Sequence, residues 1–97
     1  MTEAQLEKWA KGEAKKAGVL MYKFRSPNKR GVPDQILFYK GRTLMVEFKS
    51  PKGGGRLSPL QEKEITLLRG HGMSVAVVAG NASFSIVLDA LIEGVEI

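Results

Sequence analysis

Cysteine is absent from the 97-residue chain, which excludes disulfides and thiolate-held zinc sites. No apolar run approaches the roughly 20 residues that a membrane-spanning helix needs, so no membrane association is expected. There is no internal repeat and no low-complexity tract. The glycine cluster GGG lacks the following Lys-Ser/Thr of a P-loop. Histidine occurs once, as His71 in a Gly-His-Gly turn, and reads as incidental. The start, MTEAQLEKWAKGEAKK, is charged and periodic, unlike a signal peptide. These absences leave a one-domain protein, residues 1–97, expected in the cytoplasm. What is present in excess is positive charge, a net +5 with a pI near 9.7, which favours a polyanionic partner.

The pattern alternates between helical and strand periods. Residues 2 to about 17 read as a helix, with Thr2 as N-cap, Gly18 at the stop, and Leu6, Trp9, Ala10, Ala14 and Ala17 on one stripe. Val19 to Phe24 reads as a short strand, followed by the SPNKRG loop. Asp34 to Tyr39 and Thr43 to Phe48 form a hairpin around Lys40-Gly41, with Pro33 at a strand start. After the flexible loop PKGGGR, Ser58-Pro59-Leu60-Gln61 opens a second helix through a capping box. Its apolar side is expected to carry Leu60, Ile65, Leu67 and Leu68. Ser74 to Ala79 is a buried strand, and Ser83 to about Glu93 a last helix. The order α-β-β-β-α-β-α predicts an α/β fold with a central mixed four-stranded sheet flanked by helices.

The hairpin carries charge where apolar residues dominate. With Tyr39 facing Arg42, Asp34 is expected opposite Glu47, their Cβ atoms roughly 4.5–5.5 Å apart. Lys49, two residues on, shares the side of Glu47. Two facing carboxylates among Ile36, Leu37, Phe38, Leu44 and Val46 repel unless compensated. A divalent cation with oxygen ligands, Mg²⁺ or Mn²⁺, would compensate them. Lys49 as a plain counter-ion is the alternative. Lys23, Arg25, Lys29 and Arg30 precede Asp34, and Lys52 and Arg56 follow Lys49, so basic arms flank the acids. Glu3, Glu7 and Glu13 border the apolar stripe of the first helix.

Pro33-Asp34 followed by Glu47-Phe48-Lys49 resembles the signature of the PD-(D/E)xK nucleases. More closely, KFRSPNKRGVPDQILFYKGRTLMVEFKSPKGGGRLSPLQ resembles a VRR-NUC domain, a virus-type replication and repair nuclease module similar to Holliday-junction resolvases. The likeness runs from the first helix to Val78. It implies a restriction-endonuclease-like core and a Mg²⁺- or Mn²⁺-dependent endonuclease acting on structured or branched DNA. By resemblance, Asp34, Glu47 and the Phe48 carbonyl hold the metal, and Lys49 acts on the attacking water and the phosphate. The first-helix acid falls on Glu7, ahead of Glu3 and Glu13. Gln61 matches a glutamine that positions phosphate or water, although its capping-box role explains it as well. Ser58, an N-cap, lies with Lys23, Arg25, Lys29, Arg30, Lys52 and Arg56 among candidate DNA contacts. A homodimer acting on a four-way junction is the expected assembly, and a viral or bacterial origin fits. The alternatives are a nucleic-acid-binding module without turnover and a basic structural domain whose acids serve as salt bridges.

Overall fold

A computed structural model describes residues 1–53 and 55–96. Gly54 of the expected glycine-rich loop, and Ile97, lie outside the described residues. The elements are α1 (Glu3–Lys16), β1 (Leu20–Lys23), β2 (Gln35–Tyr39), β3 (Arg42–Phe48), α2 (Pro59–Gly70), β4 (Val75–Val78) and α3 (Asn81–Glu93). A short 3₁₀ turn, Pro51–Gly53, begins the loop between β3 and α2. The order is the one read from the pattern.

The four strands lie side by side as β1-β2-β3-β4. β1, β2 and β3 form an antiparallel meander, and β4 pairs parallel to β3 after the α2 crossover. Both hairpin-turn residues have positive φ, 44° at Lys40 and 83° at Gly41. That is the type I′ geometry whose twist suits a two-residue hairpin. The turn fixes the register, from Tyr39↔Arg42 to Gln35↔Val46. β2 begins one residue later than expected, so Asp34 stands just outside the strand. Phe24 likewise lies beyond β1, yet its N–H donates to the Asp34 carbonyl at 2.7 Å and carries the ladder past the strand end.

Alternation on β3 splits the core between two faces. Leu44, Val46 and Phe48 pack with Leu37 against α1 and α3, joined by Leu6, Ala10, Ala14, Phe84, Leu88 and Leu91. The rings of Trp9 and Phe48 lie 5.9 and 5.8 Å from Phe84. Burying a side chain such as Phe84 contributes about 2–3 kcal/mol. Met45 points the other way and meets Ile65 and Val75, with Ile36, Leu68 and Met73 at the margin. The hairpin is central and covered on both faces, as its apolar character requires.

Of the apolar side expected of α2, the helix buries only part. Leu60 and Leu67 are about half exposed, and only Ile65 is buried in this helix. The helix meets the sheet through Ile65 and Leu68, a narrower stripe than the sequence suggested. α3 starts two residues earlier than expected, at Asn81 after an extended Gly80.

Candidate active site

The acidic and basic side chains collect where β2 begins and β3 ends. Glu47 is the second-last residue of β3 and lies on the α2 side of the sheet by alternation with Met45. Its side chain is 11% exposed and stands 4.0 Å from the Lys49 amino group. Burial pushes the Glu47 carboxyl up to about 7, and the charges of Asp34, Glu3 and Glu7 add to that rise while Lys49 opposes it. Asp34 occupies the next position of the hairpin register beyond Gln35↔Val46 and is half-buried. Buried Pro33 precedes it, and Gly31 sets its approach. Gly31 has φ +85°, and a Cβ there would lie 2.6 Å from the Leu60 carbonyl oxygen. Only glycine lets the GVPD segment run this close to the start of α2.

Gln61 ties the site together. Ser58 caps α2 through the expected box: its hydroxyl accepts from the Gln61 N–H, and the Gln61 Oε1 accepts from the Ser58 N–H. The same Oε1 accepts from the Lys49 amino group at 2.6 Å, and the Gln61 Nε2 donates to Glu47 Oε2 at 3.4 Å. Capping and site contacts are therefore properties of one side chain. The nearest partner of Lys49 is Gln61 rather than Glu47, so a simple Lys49–Glu47 ion pair does not describe the arrangement.

Of the three acids on α1, Glu13 pairs outward with Lys16 at 2.9 Å, and Glu3 is exposed in the first turn. Glu7 accepts a hydrogen bond from Gln35 Nε2 at 3.2 Å. Burial raises the Glu7 pKa, the Gln35 hydrogen bond opposes the rise, and the Asp34 charge adds to it. Among the described residues no three acidic or histidine side chains come together as an ion-holding cluster. Glu7 is close enough for the Asp34 charge to act on it and for its own charge to act on Glu47. Gln35, buried on the α1 side of β2, was not singled out from the sequence. A polar residue at a core-facing strand position is the signal that could have found it.

Lys23, Arg25 and Lys29 line a cavity of about 360 Å³ that Asp34 also lines. Lys29 pairs across to Glu64 on α2 at 3.6 Å. Arg30, Lys52, Arg56 and Ser58 are exposed on the segments that flank this end of the sheet. His71 caps the far end of α2.

The donors available at Asp34 and Glu47 are hard carboxylate oxygens, with the Phe48 carbonyl adjacent in sequence. A half-buried pair of acids, one raised by desolvation and by its neighbour's charge, fits a hard divalent cation that retains waters. One end of the central hairpin of the mixed sheet thus carries Asp34, Glu47 and Lys49.

The model of the VRR-NUC domain family matches residues 3–82, and the chain belongs to this family of nuclease-type domains. A relative from Acyrthosiphon pisum secondary endosymbiont phage 1, named "Putative nuclease p44", is 38% identical over 77 residues, covering 78% of this chain and 81% of the relative. A solved VRR-NUC domain superimposes with a TM-score of 0.80 at 24% identity, covering 92% of this chain and 97% of that one. That likeness is one of fold. No helix among the described residues is long and apolar enough to cross a membrane.

Proposed function

We propose that this chain is a divalent-metal-dependent endonuclease that hydrolyses phosphodiester bonds in branched DNA, in the manner of a Holliday-junction resolvase. The observation that carries the reading is a buried Glu47, its carboxyl raised by desolvation, next to Asp34 in the hairpin register and beside a lysine that Gln61 holds in place. Desolvation keeps Glu47 costly to ionise without a cation, and the oxygen donors suit Mg²⁺ or Mn²⁺. When bound, such an ion lowers the pKa of a coordinated water and offsets charge on the phosphate.

The chain's own residues supply the rest. Asp34 and Glu47, with the Phe48 carbonyl, hold the ion. Lys49 places a fixed positive charge where negative charge grows on the phosphorus oxygens, and a charge preorganised in this way favours the transition state. Gln61 accepts from the Lys49 amino group and donates to Glu47, so it positions both. Glu7, held by the Gln35 amide, adds negative charge near Asp34 and Glu47. Lys23, Arg25, Lys29, Arg30, Lys52 and Arg56, with the Ser58 hydroxyl, contact phosphates, which orient DNA without reading its sequence.

The small footprint favours a homodimer, which would present two such sites to two strands. The test is a panel of end-labelled four-way junctions, flaps, forks, nicks and linear duplexes with Mg²⁺ or Mn²⁺, with mass by light scattering. A dimer that nicks junctions symmetrically supports the proposal in full. A monomer, or cleavage of flaps with junctions untouched, removes the resolvase reading and leaves the nuclease one. DNA binding without any cleavage would identify a binding module.

A further inference from the structure

Beside the cavity that Asp34 lines there is a second, of about 480 Å³, between the 24–32 segment, β2–β3 and α2. The two share Phe24, Ser26, Lys29 and Val32 as a common wall. Their characters differ. The first is basic, with Lys23, Arg25 and Lys29 at its rim. The second is floored by Ile36, Met45, Leu68 and Met73, which belong to or border the minor core under α2. Phe24 stands between them and is 37% exposed, high for a phenylalanine with an apolar chamber at its side. The Lys29–Glu64 ion pair spans from the loop to α2 and ties the two walls together.

We propose that this apolar chamber receives one unpaired nucleobase from the DNA strand whose phosphate lies at Asp34. This rests on the nuclease reading of the site and narrows its substrate to DNA that has, next to the bound phosphate, an unpaired nucleotide or a base pair whose stacking is interrupted at a branch point. The chemistry of the two compartments matches the two ends of a nucleotide. Lysine and arginine at the rim attract the phosphate. An aromatic face and two polarisable methionine sulfurs suit the flat, sequence-independent π-surface of a base. The volume falls within the roughly 300–1,000 Å³ over which pockets take flat organic ligands. A base that is unpaired, or whose stacking is interrupted at a branch point, enters at less cost than one inside a continuous duplex. Selection for branched over linear DNA follows without any contact that reads sequence.

The test reads binding rather than cleavage, so it stands apart from the nuclease reading. Duplexes carry one unpaired 2-aminopurine, a paired 2-aminopurine, or an abasic residue at the unpaired position, and the protein is added without metal. The wild type should change the fluorescence of the unpaired probe only, and bind the abasic duplex roughly tenfold more weakly, within the range for one stacked base. Phe24→Ala should lose the fluorescence change and bind abasic and intact duplexes alike. Phe24→Tyr, which keeps a ring, should behave as wild type and so controls for folding. Equal wild-type affinity for abasic and intact duplexes overturns the proposal. So does a Phe24→Ala variant that dissociates a dimer in light scattering with the fluorescence change retained, which would assign the chamber to a second copy of the chain.

Discussion

Replacing Glu47 by glutamine removes a charge that the folded protein holds at a cost. The carboxyl has an ordinary value of 4.5 and is pushed up to about 7 in the fold. Between these values the folded chain keeps a proton that the unfolded chain releases. Stability is therefore greatest at and below pH 4.5 and declines as the pH rises, reaching its full loss above pH 7. At about 1.4 kcal/mol per pH unit, the difference amounts to about 3 kcal/mol at pH 8 and under about 1 kcal/mol at pH 5. The attraction of Lys49 is already subtracted in that figure, because it opposes the rise. Glu47→Gln should thus be more stable than wild type by up to about 3 kcal/mol at pH 8, with little difference at pH 5. Urea unfolding of both proteins at the two pH values measures this, since other titrating groups largely cancel between them. Mg²⁺ or Mn²⁺ at pH 8 should stabilise the wild type and leave the variant unchanged, because an ion bound only by the fold adds to its stability. A variant less stable than wild type at pH 8, or a difference independent of pH, would refute the desolvation argument.

Lys49→Ala should lose most single-turnover cleavage while calorimetry still finds the metal, and near wild-type rates would reduce Lys49 to a counter-ion. Gln61→Ala and Ser58→Ala should each lower stability by about 0.5–2 kcal/mol through loss of the cap. Gln61→Ala should also slow the single-turnover step in folded protein saturated with DNA, because Gln61 touches Lys49 and Glu47, whereas Ser58→Ala should weaken DNA binding and leave that step near the wild-type rate; equal slowing would leave Gln61 a cap alone. Gly31→Ala should destabilise the fold by more than about 1 kcal/mol, as strain at positive φ joins a clash with the Leu60 carbonyl, and thermal melts read this directly.

Much of the site was legible because its parts are local or fixed by a turn. Lys40-Gly41 sets the hairpin, and with it the register that runs to Gln35↔Val46 and brings Asp34 toward Glu47. The capping box at Ser58 and Gln61 spans three residues and needs no tertiary knowledge. What escaped depends on separations the sequence does not encode. The contact from Gln61 to Lys49 crosses the loop between β3 and α2, and it joins two roles that looked like alternatives. Glu3, Glu7 and Glu13 border one helical stripe equally well, and only the docking of α1 brings Glu7 to Gln35. Arg42 figures in the sequence pattern only as the residue facing Tyr39, yet it donates to the Leu91 and Ile92 carbonyls at 2.8 and 2.6 Å and secures the end of α3. Leu60 and Leu67 were placed inward by hydrophobicity, whereas α2 rests on the sheet through Ile65 and Leu68.

Single-turnover nicking of a labelled four-way junction, by wild type and Glu47→Gln with and without Mg²⁺, tests the central claim most directly. Wild type should nick only when the ion is present. The variant should bind the junction through its intact basic residues, remain folded at least as well, and leave the DNA uncut. Cleavage by wild type without a divalent ion, or by Glu47→Gln at the wild-type rate, would contradict a metal-dependent site built on Asp34 and Glu47.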